Sequence, residues 1–393
     1  MKKVLIVASV ISFIEWFNRE NLLYLKNGLD CDVHVACNMQ YMEDTDVDRT
    51  VRFIDDMKKS GIVFHDIHFD RSPFGRGNLK AYKTLKHLVD DGRFDLIHCH
   101  TPAASVLTRL AARKARKRGA VIMYTCHGFH FHRAAPKKNW ILYYPIERLL
   151  SRFCDYLVTI NAEDYQRAAS FHSCQVRYIP GVGVDLRRFQ VAEIDRKAYR
   201  DALGIPEEAI LILSLGELIE RKNHEVIIRA IAQLKRPDLH YAICGKGPLK
   251  DYLTALSQEL GIGEQVHLLG FRTDVPEICH AADIGAFPSK IEGLGLAGIE
   301  MMASGLPLVA SNVHGILDYV KDGVTGFACP PDDAGAFADV IEKLTAQPNT
   351  ADRMKDACRK AVEPFDLQNA LNEMWKIYRE ALCVKNEANI YIS

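Results

Sequence analysis

At 393 residues the chain exceeds what one hydrophobic core ordinarily fills, so two domains are expected. Hydrophobic residues make up 48% of it and charged residues 25%, which excludes a disordered chain. Lys and Arg number 50 against 50 Asp and Glu, so bulk polyanion binding is excluded and electrostatic targeting must come from local patches.

No apolar run approaches the roughly 20 residues of a membrane-spanning helix. The N-terminal MKKVLIVASVISFIEW is interrupted by Glu15 and carries no cleavage site of the secretory kind, so a cytoplasmic location is expected. Eleven cysteines, an odd number without a CxxC pair, read as reduced and mostly buried thiols.

The chain opens on an apolar run at 3–9 followed by a helical pattern at 14–26. Further runs at 31–37, 62–67, 95–99, 121–126 and 156–160 are separated by helix-length segments. This alternation predicts a doubly wound parallel sheet with its ligand edge at the carboxyl ends of the strands. A last short strand leads into GVGVD at 181–185 and a polar stretch through Glu208, which reads as a linker. A second series at 209–216, 239–245, 265–270, 283–289 and 306–311 repeats the scheme, implying two lobes and a cleft. A final helix is read at 367–382, with room to return to the first lobe although nothing in its residues requires it, and residues 385–393 read as a loose tail or an added edge strand.

The stretch EGLGLAGIE, 292–300, is the richest in chemistry. Gly293 and Gly295 let the backbone approach a bound group, and Leu294, Leu296, Ile299 and Met302 suggest a helix whose first N–H groups face an anion. Glu292 and Glu300 then suit a ligand with two hydroxyl clusters separated by a phosphate, as in a sugar nucleotide. A glycine-softened helix start with two solvated glutamates is the competing reading. In GELIERKN, 216–223, Asn223 is placed to cap the next helix. Arg221 and Lys222 stand before a helix start, where cations are unfavourable unless something negative is present. Either a diphosphate supplies that charge or these are ordinary surface cations. Gly245 in CGKGP approaches the same ligand, and Arg272 follows a strand where it would hold a nucleobase, with capping by Asp274 as the alternative.

His127, His130 and His132 cluster after a first-lobe strand, but without an acidic partner pattern or an HExxH helix they do not read as a metal site. His98 and Cys99 read as strand-end structure, whereas His100 is placed to line the cleft. Finally, Arg109, Arg113, Lys114, Arg116, Lys117 and Arg118 lie beside one short apolar stripe with no matching acids nearby in sequence. With Lys137, Lys138 and Trp140 they would dock on an anionic bilayer; a solvated helix face is the alternative, and no aromatic-basic pattern supports nucleic acid.

Together these motifs resemble retaining family 4 glycosyltransferases of the GT-B fold, most closely the bacterial branch that builds capsule, exopolysaccharide and lipid-linked glycans. The resemblance spans nearly the whole chain, and its most specific element is the E-x7-E spacing of Glu292 and Glu300; GELIERKN, CGKGP, LGFRTDV, SGLPLVAS, DGVTGF and HGFHFHRAAPKKNW support it. It implies an α/β chain of two doubly wound Rossmann-like domains facing a central cleft. Residues 1–190 would bind acceptor and 191–366 the nucleotide-sugar donor, with a helix at about 367–384 packing back on the first and a tail at 385–393. It assigns Glu300 to the ribose hydroxyls and Glu292 with the amides of Gly293, Leu294, Gly295 and Leu296 to the donor sugar. Lys222 goes to the diphosphate, with Gly216, Arg221, Gly245 and Arg272 around the donor, and His127 to the transferred sugar.

Two departures stand out. The arginine that usually follows the first glycine of the phosphate motif is Glu217, so either Arg221 takes part of its role or Glu217 turns away. The glycine-rich loop common after the first strand is replaced by SVISFIEWFNRE. The expectation is therefore a metal-independent retaining hexosyltransferase, without a resident cofactor, moving a sugar from a UDP-sugar to a polyprenyl-diphosphate-linked saccharide on the inner face of the cell membrane. A UDP-sugar 2-epimerase and a non-catalytic membrane-surface nucleotide-sugar binding protein are the alternatives.

Overall fold

Both series of apolar runs become parallel sheets, and burial explains why these segments are apolar throughout rather than alternating. The computed structural model describes residues 1–40, 47–70, 75–171, 175–190, 194–346 and 350–383. In its first strand Val4, Leu5, Ile6 and Val7 are all at most 1% exposed. Successive strand residues point to opposite faces, so both faces of the sheet are covered.

The first sheet contains β1 (Lys3–Val10), β2 (Asp32–Asn38), β3 (Val63–Asp66), β4 (Leu96–Cys99), β5 (Val121–Cys126), β6 (Tyr156–Thr159) and β7 (Gln175–Tyr178). Its order is β3-β2-β1-β4-β5-β6-β7, every pair parallel. The second contains β8 (Ile210–Leu215), β9 (Leu239–Cys244), β10 (Val266–Gly270), β11 (Ile284–Phe287), β12 (Leu308–Ser311) and β13 (Gly326–Cys329), in the order β10-β9-β8-β11-β12-β13, again all parallel. Each is doubly wound and Rossmann-like. The strand order reverses between β1 and β4 in one sheet and between β8 and β11 in the other, and such switch points are where this architecture binds ligands.

Met1–Val182 together with the chain from Ala370 onward forms one compact unit, and Gly183–Asn369 the other. The division thus falls inside the stretch read as a linker, near its start. Leu186 and Phe189 are buried, and His280 Nε2 lies 2.8 Å from the Phe189 carbonyl, tying that segment to the second unit. The helix Leu367–Ala381 carries Tyr378, whose hydroxyl lies 2.8 Å from His98 Nδ1, and Trp375, which stacks on Tyr24 at 4.2 Å. The expected tail at 385–393 lies outside the described residues.

Two expectations need correction. The single helix at 14–26 is two helices, Ile11–Phe17 and Arg19–Leu23, followed by a π turn at Tyr24–Gly28. Asn18, with φ −127° and ψ −2°, leaves the helical region and separates the first two. In addition β13 was not anticipated, because it is only four residues long, opens on glycine and is half-exposed in its middle. The ten described cysteines are all free and nine are buried.

Candidate active site

In the second unit the switch point is flanked by the loops after β8 and β11, and these loops carry the residues singled out from sequence. Lys222 ends a 3-10 turn, Glu220–Lys222. Its Nζ donates to Glu292 Oε1 at 2.6 Å, and Arg221 Nη1 donates to the same oxygen at 2.8 Å. The side chains of Lys222 and Glu292 are only 14% and 10% exposed, whereas Arg221 is 42% exposed. A carboxylate is therefore the negative group that holds these cations before a helix start, and a bound diphosphate is not needed to explain them.

Asn223 occupies the N-cap position of the helix His224–Leu234 but makes no side-chain cap. Its backbone is left-handed, at φ 58°. Its Nδ2 donates instead to the carbonyls of Pro288 at 3.0 Å and Pro331 at 2.8 Å, joining the loops after β11 and β13. Glu217 is exposed; its carbonyl oxygen lies 3.2 Å from the buried His224 ring, so what this residue gives the loop is its backbone.

Glycines set the loop geometry. A Cβ on Gly245 would stand 1.9 Å from the carbonyl oxygen of Gly216, so the loop after β9 packs against the loop after β8 only because that position is glycine. Gly295 has φ +85° and precedes the helix Leu296–Ala303; a Cβ there would stand 2.4 Å from the Phe287 ring. The backbone of 294–295 is propped by buried Tyr319, whose hydroxyl lies 3.1 Å from the carbonyl oxygens of both Leu294 and Gly295. Leu294 is buried, while Gly293 and Leu296 are half-buried. Nothing in the local sequence announced Tyr319, 24 residues beyond the loop it supports.

Glu300 lies on that helix and is half-buried. Burial raises its carboxyl above the usual range, against the pull of Arg188 and Lys222. Arg188 is thus a charged neighbour of this group that the sequence reading missed, because it sits 112 positions away in a stretch taken for linker. Arg272 is engaged by Asp274, with Nε donating at 2.8 Å, and lies 3.2 Å from the Tyr199 hydroxyl, which itself donates to Asp274 at 2.7 Å. Asp274 therefore pairs with Arg272 and makes no side-chain cap, contrary to the alternative drawn from sequence.

In the first unit His127 follows β5, and its Nε2 lies 3.1 Å from His100 Nδ1. His98 is fully buried between Tyr378 and Thr125, each at 2.8 Å. Phe13, from the segment that stands in place of a glycine-rich loop, packs edge-on against His127 with ring centroids 4.8 Å apart. Burial lowers His98 to about 3 and His127 to about 4, and holds His100 well below 6.5, so all three are neutral imidazoles at physiological pH. His130 turns to the Tyr143 ring at 4.7 Å instead. Among the described residues no group of three or more His, Cys, Asp or Glu is placed to hold a metal ion.

The basic stretch is corrected in three respects. It is not one helix: Pro102–Ala111 and Arg113–Lys117 are separated at Ala112. It does not lack acids: Arg109 is buried and donates to both oxygens of Glu147 at 2.8 and 3.1 Å, Arg116 lies 2.8 Å from Asp155, and Arg118 is 3.8 Å from Asp90. Trp140 is not free for a bilayer either, since its Nε1 donates to the His132 carbonyl and Arg167 stacks 4.4 Å above its ring. Arg113, Lys114, Lys117 and Arg118 remain exposed.

Residues 22–188 match the family model described as Glycosyltransferase Family 4, and residues 195–361 the one described as Glycosyl transferases group 1. The chain is similar to EpsD of Bacillus subtilis (strain 168), with 35% identity over 382 residues covering 96% of each protein. It is 26% identical over 309 residues to the Escherichia coli UDP-Gal:alpha-D-GlcNAc-diphosphoundecaprenol alpha-1,3-galactosyltransferase, covering 77% of this chain and 79% of that one. In fold it resembles Anabaena Alr3699/HepE, solved in complex with UDP and glucose, with a TM-score of 0.73 and 21% identity over 97% of this chain and all of that one. The chain belongs to glycosyltransferase family 4, with the two Rossmann-like domains of the GT-B fold.

Proposed function

We propose that this glycosyltransferase moves a sugar from a UDP-sugar to a lipid-linked saccharide acceptor with the anomeric configuration retained. The observation that carries the donor side is the arrangement of Lys222, Arg221, Glu292 and Glu300 around the β8/β11 switch point. In this reading Lys222 and Arg221 stabilise charge as it develops on the leaving diphosphate, aided by the N–H groups that open the helix at Leu296. Glu292, with the backbone of Gly293, Leu294 and Gly295, accepts hydroxyls of the donor sugar, and Glu300 accepts those of ribose. Gly216 and Gly245 bring backbone close to the nucleotide, and Arg272 lies at its base end. The placement of His127 beside the transferred sugar rests on the family resemblance. A donor phosphate oxygen would receive the acceptor proton, and no divalent metal is required. The UDP and glucose bound by the Anabaena neighbour and the diphosphoundecaprenol-linked substrate named for the Escherichia coli relative support the two substrate classes.

Glu300→Ala tests the ribose assignment. Losing hydrogen bonds to a charged acceptor should weaken UDP binding by about 1.5–3 kcal/mol, roughly ten- to 150-fold in Kd. Calorimetry giving an unchanged Kd would remove Glu300 from the nucleotide site.

No helix of the described residues is long and apolar enough to cross a membrane. Peripheral docking at the inner face of the membrane, where a lipid-linked acceptor would be met, is supported by an open concavity of about 780 Å³ lined by Lys86, Arg113, Lys114, Lys117 and Arg152 with Phe153 on its wall. Each exposed cation adds about 1 kcal/mol near an anionic surface. Replacing Arg113, Lys114, Lys117 and Arg118 together by Gln should therefore abolish co-sedimentation with phosphatidylglycerol vesicles at low salt, while transfer to a short water-soluble acceptor persists. Arg109 and Arg116 are left intact because the fold uses them. Equal sedimentation of both proteins would reduce the patch to a solvated face.

A further inference from the structure

The replacement of the glycine-rich loop by SVISFIEWFNRE builds a second polar site, at the switch point of the first sheet. The chain leaving β1 turns through Asn18, and the chain leaving β4 ends in His100. Between them is a small cavity, with room of about 20 Å³ for the centre of a water-sized sphere, enough for one oxygen-sized group. Asn18 and His100 are 2% and 3% exposed. The backbone of Asn18 is satisfied, its N–H by the Ile14 carbonyl at 3.0 Å and its carbonyl by the Leu22 N–H at 2.9 Å. Yet both polar atoms of its side chain, Oδ1 of Asn21 and Nε2 of His100 have no hydrogen-bond partner among the described residues. Leaving a buried polar atom unpaired costs about 1–3 kcal/mol, and such atoms in native proteins have a use when they converge on one place.

We propose that this cavity is a subsite for a single hydroxyl group of a sugar, held by Asn18, Asn21 and His100. The donor set fits that chemistry: a hydroxyl donates once and accepts twice, and the cavity offers the Asn18 amide N–H groups, two amide oxygens and an imidazole nitrogen. Among the described residues no acidic, Lys or Arg side chain lines it; the remaining walls include Thr125 and His127 as well as Phe17, Ile179, Leu371 and Met374, and burial keeps His100 and His127 neutral. Phosphate, carboxylate and metal cations are therefore poor occupants, while a neutral hydroxyl gains up to three hydrogen bonds there. Through the 3.1 Å contact of His100 Nδ1 with His127 Nε2, the occupant also fixes the tautomer of His100 and with it the hydrogen-bonding face of His127. Asn18 and His100 thus act as positioning residues for His127 as well as recognising the hydroxyl. The proposal deepens the sugar-transfer reading and rests on it for the class of ligand, but its test is a binding measurement that does not depend on turnover.

The sugar could be the free saccharide or the one carried by the nucleotide, and two arms separate these. In one, affinities of the full chain are measured for methyl glycosides of glucose, galactose and N-acetylglucosamine and for their monodeoxy analogues, without nucleotide. In the other, UDP-glucose and UDP-galactose are compared with their monodeoxy analogues. In one arm, removal of one particular hydroxyl should weaken binding to the wild type about tenfold. The near-isosteric Asn18→Leu, which removes both amide atoms, should bind the parent sugar as weakly as its deoxy analogue and show no such difference. Asn21→Leu, at a half-buried position, provides the same comparison should Asn18→Leu not fold. Equal discrimination by wild type and variants in both arms, or no discrimination by the wild type in either, would overturn the subsite. UDP affinity, measured alongside, distinguishes this failure from failure of the donor site: unchanged UDP binding with no sugar discrimination sinks the subsite alone.

Discussion

Lys222→Ala is expected to lower kcat by about 10²–10³-fold, equivalent to about 2.7–4 kcal/mol of transition-state stabilisation, with much less change in KM for the donor. The reason is the direction in which charge moves. A nucleotide sugar already carries its diphosphate charge in the ground state, but cleavage of the glycosidic bond adds to it on the leaving oxygen. A cation poised there gains most in the transition state. Lys222 is poised by Glu292, whose Oε1 accepts from Nζ at 2.6 Å, and by the Phe287 ring 5.5 Å below it. It is also largely withdrawn from solvent, whereas Arg221 shares the carboxylate from a more exposed position. Arg221→Ala should accordingly cost less than Lys222→Ala. Steady-state kinetics with melting curves for both variants check this; a folded Lys222→Ala protein with kcat within threefold of wild type would leave the leaving group without its principal stabiliser.

Arg109→Ala should destabilise the first unit by about 3–5 kcal/mol. Its guanidinium is 1% exposed, meets both oxygens of Glu147, donates from Nε to the Ser105 carbonyl at 3.1 Å and lies 4.3 Å from the centre of the Tyr124 ring. Removing it leaves Glu147 a poorly compensated carboxylate in the interior and opens a cavity beside Tyr124. Replacing the whole pair, Arg109→Met with Glu147→Leu, should recover most of the loss, because apolar groups of similar volume need no partner. Trp16, Trp140 and Trp375 all lie in the first unit, so tryptophan fluorescence in a urea titration reports that unit directly. A loss below 1 kcal/mol, or a double variant no more stable than the single one, would contradict the buried-pair account.

Arg109 also shows why part of the molecule could not be read from the chain. Counting cations along 109–118 gives a basic patch; the acids that answer three of them come from Asp90, Glu147 and Asp155, 28 to 39 positions away. The same distance hides the ion pair at the centre of the proposed donor site, where Lys222 and Glu292 are 70 residues apart. It likewise hides the use of Asn223 as a tie between loops, since a residue of capping type at a capping position gives no sign of a left-handed backbone. What was legible were features that repeat or act locally. Most strands of the two sheets are buried on both faces and apolar throughout, and eleven of the thirteen among the described residues stood out as separate runs, with β7 met as a short strand leading into GVGVD. Only β13, a four-residue strand that opens on glycine, escaped. The E-x7-E spacing was legible for a similar reason: both glutamates and the glycine turn between them belong to one loop and helix start, where chain order and space coincide. The divided helix at Asn18 and the cavity beside it were not, because nothing in SVISFIEWFNRE shows that His100 comes to face it.

Acceptor-dependent release of UDP is the most direct measure of the proposed activity. The purified chain would be given UDP-glucose, UDP-galactose and UDP-N-acetylglucosamine in turn, with and without a set of polyprenyl-diphosphate-linked saccharides, in buffer containing EDTA. The product's anomeric configuration would be read by NMR. One donor should yield UDP well above background only when a lipid-linked acceptor is present, EDTA should leave the rate intact, and the new bond should keep the donor's anomeric configuration. Conversion of the UDP-sugar without any acceptor, or a product with inverted configuration, would contradict the proposed activity.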